Sequence, residues 1–370
     1  MRIVLFLFFL FTYNILNAQI GGEKVFNFLD IPVSARQGAL GGSVIAIKDD
    51  DPNLSIDNPS LLTAEMHSSL TFTYLNYFSD INYGYFSYIN DFKKYGTFSA
   101  GIKYIDYGKF LETDEGGNEL GSFSAAEYAF IPGWGKNIDS SFSVGANLKP
   151  IYSRLYFNSS VALALDVVGT YHNSSKNFTT SLLIRNIGRQ LTTYTEDAKR
   201  EALPFQIQAG ISKKLAHTPI RLNVDLIHLQ NWNLAFNDST IATNQNNDLT
   251  QEEKNERNKT GITSEFFRHV VAGVEFLPSK NFMIRFGYNF KRRSELAFDN
   301  RGKLVGFSWG VGFRIKKIHI SYGSASYHLA GSSNHFTITT NISDYYKKNQ
   351  VITDKPKRER KVRNKKTSTE

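Results

Sequence analysis

Several stretches of this chain alternate strictly between apolar and polar side chains. Residues 220–226 read IRLNVDL, residues 284–291 read IRFGYNFK, and residues 307–315 read FSWGVGFRI. Successive side chains of a β-strand point to opposite faces, so each stretch predicts a strand with one apolar wall and one polar wall. This pattern also fits a soluble sandwich or a sheet with one wet face.

The lengths of the connections separate these alternatives. We predict strands near residues 68–78, 81–91, 95–107, 121–134, 140–152, 157–171, 177–187, 203–214, 218–230, 266–276, 281–292, 304–315, 317–327 and 334–342. Every second connection is short, whereas the longer ones, around 108–120, 188–202, 231–265 and 293–303, all fall on the other side. Short turns on one rim and long loops on the other are typical of outer-membrane barrels, in which the short side is periplasmic. The sequence therefore predicts an all-β, transmembrane, antiparallel β-barrel of about 14 strands with an N-terminal periplasmic plug. Both termini are expected to be periplasmic.

Composition agrees with a barrel and argues against helical membrane spans. Aromatic residues make up 14% of the chain, there are 27 glycines, and no second run of about 18 apolar residues follows the N-terminus. Met1 and Arg2 precede an apolar run from Ile3 to Phe11, and Ala18 supplies a small residue at the expected cleavage point. These features predict a secretory signal. The chain has no cysteine, so no disulfide can stabilise the fold.

We therefore divide the chain into four parts: a signal peptide (1–18), a hatch (19–66), a barrel (67–343) and a basic tail (344–370). The formal net charge is +9, and the ten Lys/Arg and three acidic residues from 347 onward account for most of it. This placement argues against a surface that binds nucleic acid. The tail resembles a nuclear-localisation or nucleic-acid patch, but we expect disorder in the periplasm or contact with anionic groups there.

Charged and aromatic side chains of the strands have predicted positions as well. The charged residues Arg221, Asp225, Arg285, Lys291 and Arg314 are expected to face the lumen because charge facing lipid is costly. His269 and His319 are expected in the polar network of the lumen. Several aromatics are candidates for the girdles at the membrane interfaces, namely Tyr83, Tyr85, Tyr104, Tyr152, Tyr288, Tyr322 and Trp309.

Residues 20–66 do not alternate and are expected to fold into the lumen. Asn58 followed by Pro59 predicts a helix start, with Asn58 as the cap and Pro59 in the first turn. The stretch FLDIPVSARQGALGG (Phe28 to Gly42), followed by this turn, resembles the start of the PorV/PorQ family of the type IX secretion system, with PorQ favoured. The motif residues that we carry over are Ser34, Arg36, Gly41, Gly42, Asn58 and Pro59.

The resemblance implies a fatty-acid-transporter-like barrel with a non-enzymatic function. On this hypothesis the protein lies in the outer membrane of a Gram-negative, Bacteroidetes-like bacterium. It anchors a PorZ-like surface protein of the cargo attachment complex, with possible PorU- and PorV-like subunits, and its other partner is outer-membrane lipid. Family transporters usually read Asn-Pro-Ala-Gly-Leu at the hatch, whereas Ser60 and Leu61 stand here in place of Ala-Gly. The alternative function is a fatty-acid-transporter-like channel for hydrophobic small molecules.

On this hypothesis the partner contacts the polar loop 231–265 and the residue that follows it. The loops 108–120, 188–202 and 293–303 are expected to surround that loop. The candidate residues are Asn231, Trp232, Phe236, Asp248, Glu252, Glu253, Arg257 and Phe266. Such a loop can become ordered on binding a partner, although a mobile loop without a partner fits the same sequence.

Two motifs match a catalytic pattern and a calcium-binding pattern, but the residues around them argue against both functions. Residues 306–310 match the nucleophile pattern G-x-S-x-G, but they lie inside a predicted strand with Ser308 facing the lumen, whereas a nucleophile elbow needs an exposed turn. An outer-membrane lipase would need a His and an Asp beside Ser308. The acidic residues 49–57 alternate like calcium-loop ligands, but Leu54 stands where the loop needs glycine and Ser60 where it needs glutamate. We expect no enzyme activity, no metal site and no cofactor.

Overall fold

The computed structural model describes residues 24–77, 80–234, 261–296, 304–328 and 331–346. The proposed signal peptide and the residues from 347 onward lie outside this part. No helix among the described residues is long and apolar enough to cross a membrane.

Fourteen strands form in the described residues. They are β1 (Ser69–Asn76), β2 (Asn82–Asp91), β3 (Thr97–Thr113), β4 (Glu119–Asn137), β5 (Phe142–Leu155), β6 (Asn158–Asn173), β7 (Phe178–Thr192), β8 (Gln206–Lys214), β9 (Ile220–Leu226), β10 (Val270–Phe276), β11 (Phe282–Asn289), β12 (Phe307–Ile315), β13 (Ile318–His328) and β14 (Gly331–Asn341). Five α-helices accompany them in the described residues: α1 (Ala35–Ala39), α2 (Pro52–Ser55), α3 (Ile262–Arg268), α4 (Phe290–Leu296) and α5 (Ser343–Tyr346). Four short 3-10 helices also form there, at Asn27–Asp30, Pro59–Leu61, Ala64–Met66 and Lys93–Tyr95.

The strands form one closed antiparallel barrel, which confirms the predicted fold class. Each strand pairs with its neighbours in sequence, and β1 pairs with β14 from Ser69–Asn341 to Asn76–Asn334, so the sheet has no free edge. A closed sheet satisfies its backbone groups internally, as a wall in hydrocarbon requires. We call the rim with the turns after β2, β4, β6, β8, β10 and β12 the short-turn end, and the opposite rim the long-loop end. The three longest connections, 193–205, 227–269 and 290–306, all lie at the long-loop end.

Apolar side chains cover the outside of the barrel and polar ones line the inside. In β3, Ile102 is 48% exposed while its neighbour Lys103 is 2% exposed. The outward set includes Phe72, Phe86, Phe98, Phe130, Leu148, Leu165, Leu182, Ile211, Leu222, Phe286, Trp309, Phe313, Ile320 and Phe336. A continuous apolar outer surface of this kind is characteristic of a transmembrane barrel.

Some details differ from the sequence-based expectations. Tyr83 and Tyr85 are buried inside the barrel rather than placed at an interface, because they pack against the hatch and the apolar side chains of the lumen. The expected long loop 108–120 is mostly strand, since β3 and β4 continue to pair beyond a bulge as far as Thr113 and Glu119. Phe266 lies in α3 rather than in a loop, and Lys291 lies in α4 rather than in a strand.

Residues 24–66 lie inside the barrel and contribute 17 of the 37 buried apolar side chains of the described residues. We call this described segment the hatch. Its buried apolar side chains include Phe28, Leu29, Val33, Leu40, Ile45, Leu54 and Leu61. The lumen is therefore packed with protein at mid-height.

Candidate functional site

Capping at the two ends of α1 positions the central part of the hatch. Ser34 adopts an extended backbone and its hydroxyl accepts a hydrogen bond from the Gln37 amide (3.3 Å), so α1 begins at Ala35. After α1, Gly41 and Gly42 have φ values of 95° and 97°, and the Gly42 amide donates to the Gln37 carbonyl oxygen (2.8 Å). Left-handed residues at a helix end favour glycine. The sequence thereby fixes where Arg36 projects.

Arg36 joins the hatch to the barrel wall through three carboxylates. Its guanidinium contacts Asp49 (2.7 Å), Asp51 (2.8 Å) and Glu275 of β10 (2.7 Å). Arg221 of β9 contacts both Asp49 and Glu275, and Arg285 of β11 contacts Glu275 (2.9 Å). We call these three arginines and three carboxylates the arginine cluster, and their formal charges balance.

Electrostatics keep the two hatch carboxylates of the arginine cluster ionised. Burial alone would raise the pKa of Asp49, but the charges of Arg36 and Arg221 outweigh it and hold that pKa far below its usual range. Burial likewise opposes the shift at Asp51, and Arg36 nevertheless lowers its pKa. Arginines therefore hold the carboxylates of Asp49 and Asp51, and their positive charges oppose a cation site at the calcium-like spacing of residues 49–57.

A second set of polar contacts holds the other end of the hatch. Asp57 pairs with Arg185 of β7 and accepts a hydrogen bond from the Gln37 side-chain amide (2.6 Å). Asn58 caps a short 3-10 helix at Pro59–Leu61, as predicted, by accepting from the Ser60 amide (3.0 Å). The Asn58 side chain also donates to the Ile45 carbonyl oxygen (2.5 Å). These contacts fold the hatch against itself and against the wall.

Glycines in the wall let the hatch backbone approach closely. A Cβ atom at Gly287 would lie 2.2 Å from the Gly41 nitrogen, and one at Gly145 would lie 2.4 Å from the Pro59 carbonyl carbon. One at Gly323 would lie 2.3 Å from the Ala35 carbonyl oxygen. Any larger residue at these strand positions would collide with hatch backbone. The wall is therefore shaped for this segment.

A cluster of apolar side chains on one side of the lumen borders an interrupted seam in the wall. Phe28, Leu29 and Val33 of the hatch pack with inward side chains of β2 to β6, which include Tyr83, Tyr85, Ile105, Ala129, Ile131, Ile151, Ala162 and Ala164. In this region the β4–β5 pairing passes from Ala129–Ile151 to Gly133–Asn147 with no paired residues between them. Pro132 of β4 and Pro150 of β5 fall in that gap, and proline has no amide hydrogen to donate.

Two cavities lie on opposite sides of the hatch. The cavity at the long-loop end has a volume of about 530 Å³ and is lined by charged and amide side chains that include Lys24, Asp30 and Arg185. The cavity at the short-turn end has a volume of about 910 Å³ and includes Arg36, Asp49 and Arg285 in its lining. Burial raises the pKa of Asp30 despite the cations around it.

The structure separates the two groups of candidate residues. Ser34, Arg36, Gly41, Gly42, Asn58 and Pro59 come together in the hatch. Asn231, Trp232 and Phe266 lie at the long-loop end, where the Trp232 ring stacks on His269 at 5.5 Å between centroids. Phe236, Asp248, Glu252, Glu253 and Arg257 lie outside the described residues, so their role as partner contacts stays a prediction.

The remaining sequence motifs have structural explanations. The Ser308 hydroxyl faces the lumen as predicted and donates to the Ala39 carbonyl oxygen (3.0 Å), so residues 306–310 form part of the seat of the hatch. His269 bonds the carbonyl oxygens of Ile227 and Trp232, and among the described residues no group of three His, Asp or Glu side chains could hold a metal ion.

Sequence reasoning missed Glu275, Arg185 and the two prolines, which lie in the arginine cluster, at the other end of the hatch and in the β4–β5 seam. Arg221 and Arg285 were expected to face the lumen, and both do. Glu275 stands in the alternating stretch VVAGVEF of β10, at a position that faces inward, and this parity was the available signal. Arg314 lies at the exposed short-turn end of β12, where it lines the cavity.

No protein-family model and no curated protein sequence matches this chain at a significant level. Among solved structures, the toluene transporter TodX of Pseudomonas putida is 10% identical, with a TM-score of 0.47 over 84% of this chain and 98% of that one. The toluene transporter TbuX of Ralstonia pickettii is 10% identical, with a TM-score of 0.46 over 85% and 98% of the two chains. A FadL homologue of Pseudomonas aeruginosa is 9% identical, with a TM-score of 0.43 over 84% and 98%. Similarity at this level is too low to bear on function, and the fold rests on the strand pairing itself.

Proposed function

We propose that this protein is an outer-membrane channel through which hydrophobic small molecules pass between the lumen and the membrane. The supporting observation is that an apolar cluster inside the lumen adjoins the interrupted β4–β5 seam. A closed antiparallel barrel with an apolar outer surface belongs in an outer membrane. The hatch blocks a straight polar path through the lumen, so a hydrophobic molecule needs a path through the wall.

The seam supplies the weak point that such a path needs. An unpaired backbone group in hydrocarbon costs several kcal/mol, which is why continuous ladders line most of a membrane barrel. Pro132 and Pro150 remove two donors from adjacent strands within the same gap, two register positions apart. Ala129, Ala162 and Ala164 are small inward neighbours of the seam, and the buried Lys149–Asp166 ion pair faces the lumen beside them.

Restoring the missing donors tests the proposal. The double variant Pro132→Thr/Pro150→Thr adds two amide hydrogens and two good strand residues, so we expect it to close the seam. In Gram-negative cells that lack their own such channel, uptake of labelled toluene or of a labelled fatty acid should fall severalfold relative to the unmodified barrel. Pro219→Thr, in the turn between β8 and β9, is the matched control and should not change uptake. Equal uptake by the folded double variant and the unmodified barrel would contradict the proposal.

Attachment of a surface partner is a second candidate function. Exposed apolar side chains gather at the long-loop end, where Trp232 is 56% exposed and Phe266 is 43% exposed. Large aromatic residues of this kind are common at the centres of protein interfaces. This observation favours the type IX attachment hypothesis, with a PorZ-like protein as the partner.

A pull-down from native outer membranes tests this second candidate. The variant Trp232→Ala/Phe266→Ala should lose a surface protein that co-purifies with the unmodified barrel. Phe157→Ala, at the tip of the β5–β6 hairpin, is a control with comparable exposure and should retain it. Equal recovery with all three proteins would rule out these residues as the partner site.

A further inference from the structure

The cavity at the short-turn end has a cationic side that neither candidate function uses. Its volume is about 910 Å³, and it opens toward the solvent at the rim where β1 begins and β14 ends. Eight of its lining side chains are lysine or arginine and five are aspartate or glutamate. Glu275 contacts three of those arginines from below and adds a sixth carboxylate. The eight cations therefore exceed the carboxylates by two.

Four of these cations converge from three consecutive short turns. Lys214 ends β8, Lys280 lies between β10 and β11, and Arg314 and Lys316 flank the end of β12. None of the four makes an ion pair with another described residue, and all are exposed. Lysine and arginine side chains that line one cavity without ion-pair partners favour an anion in that cavity. These four side chains form what we call the cation arc.

The floor of the cavity beside the cation arc contains an arginine with unused hydrogen-bonding capacity. Arg285 is 1% exposed, and its Nε donates to Glu275 (2.9 Å). Its two terminal nitrogens have only weak acceptors, the Ser321 hydroxyl (3.4 Å) and the Met283 sulfur (3.4 Å). A guanidinium presents five donors in a fixed fork, and phosphate oxygens match that fork.

The glycine at position 312 leaves room for the Arg285 guanidinium on the lumen side of β12. A Cβ atom at Gly312 would lie 2.9 Å from the Arg285 Nη1 atom and 3.3 Å from the His319 Nε2 atom. Gly312 therefore lets the Arg285 guanidinium and the His319 ring lie against the lumen side of β12, where both line the cavity. A guanidinium with weakly bonded terminal nitrogens at the base of the cation arc is suited to a multiply charged anion.

We propose that the cavity at the short-turn end binds a soluble, multivalent anion that carries phosphate groups. One phosphate contacts Arg285 and Arg314 at the base, and the further negative charges contact Lys214, Lys280 and Lys316 along the arc. The ligand is soluble rather than a membrane lipid because the cavity lies within the barrel mouth, between the hatch and the turns. This inference is independent of the β4–β5 seam, so it can hold or fail without affecting the proposed channel.

Calorimetric titration of the full chain in neutral detergent with inorganic tripolyphosphate tests the site. Measurements at constant ionic strength separate binding from general screening of charge. We expect one tripolyphosphate per barrel. In the variant Lys280→Ala/Arg314→Ala/Lys316→Ala we expect the affinity to fall at least about tenfold. These three side chains are exposed, so the variant should keep the heat-modifiable migration of a folded barrel.

The matched control removes three exposed lysines from short turns on the opposite side of the rim. Lys93→Ala/Lys94→Ala/Lys136→Ala changes the net charge by the same amount and should leave the affinity within about twofold. Equal weakening by both triple variants would show a general charge effect and overturn the proposal, as would the absence of binding to the unmodified chain. Binding only to mixed micelles that contain phosphatidylglycerol, and not to tripolyphosphate, would also overturn it in favour of a lipid headgroup.

Discussion

Glu275 is the residue on which the arginine cluster depends. Its side chain is completely buried and accepts from Arg36, Arg221 and Arg285, so it links the hatch to three adjacent wall strands. Removing one partner from a buried ion pair leaves a buried charge without compensation, which typically costs about 3–5 kcal/mol. The position of the hatch is therefore sensitive to this single carboxylate.

The variant Glu275→Gln should lower the thermal unfolding midpoint of the barrel and expose the hatch to protease. The amide keeps the shape of the side chain but cannot neutralise three arginines. Scanning calorimetry in detergent measures the midpoint, and limited proteolysis measures hatch release. Glu65→Gln is the control, because Glu65 lines the same cavity but is exposed. Indistinguishable midpoints for the two variants would contradict this role for Glu275.

At the scale of elements, strand positions without a side chain seat the hatch. Gly145, Gly287 and Gly323 lie on three different strands, and each admits hatch backbone where a Cβ atom would collide. The contact partners are backbone atoms, which cannot rotate away as the end of a flexible side chain can. The fit between wall and hatch therefore depends on glycine placement as well as on the ion pairs.

Gly287→Ala should displace the hatch while leaving the strands paired. The new methyl group would lie 2.2 Å from the Gly41 nitrogen and 2.3 Å from the Leu40 carbonyl carbon. A single cysteine placed in the hatch of this cysteine-free chain would report the displacement as faster labelling by a water-soluble maleimide. Gly169→Ala is the matched control, since a Cβ atom there meets nothing within 4 Å. Unchanged labelling in Gly287→Ala would show that the hatch tolerates the methyl group.

At the scale of the whole molecule, the hatch divides the lumen into two compartments. The compartment at the short-turn end contains the cation arc and the arginine cluster, and the compartment at the long-loop end lies beside the proposed partner-binding residues. Ion pairs from residues distant in sequence, such as Arg36 with Glu275, fix this division. Stability of the closed arrangement should therefore depend on pH.

Acidification below about pH 4 should loosen the hatch, and the range from pH 5 to 8 should have little effect on these pairs. The pKa values of Asp49 and Asp51 are lower in the folded chain than their usual value near 4, so the folded state binds fewer protons there than the unfolded state. The stabilisation is then complete above pH 4 and declines as pH falls through the lower folded pKa values. Calorimetric midpoints measured from pH 7 to pH 2 test this expectation. The variant Asp49→Asn/Asp51→Asn should show a flatter profile, and an equally steep profile would assign the effect to other groups.

The alternation of side chains predicted the strands, since a period of two gives each strand one apolar face and one polar face, and the sorting of long and short connections predicted the barrel. All fourteen strands lie close to their expected positions for that reason. Parity also indicated which charges face inward, as it did for Arg221 and Arg285, and local capping rules predicted the turn at Asn58 and Pro59. These features depend only on neighbours in sequence.

Tertiary structure alone decided which inward side chains meet. Parity cannot tell that Tyr83 and Tyr85 pack against a hatch, because an interface aromatic and a lumen aromatic look alike in sequence. Parity also cannot show that Pro132 and Pro150 lie in the same gap of the β4–β5 pairing. It cannot show that Arg36 contacts Glu275, which lies 239 residues further along the chain. Those contacts arise when the sheet closes and the hatch fills it, since closure brings distant parts of the chain to the same height in one lumen.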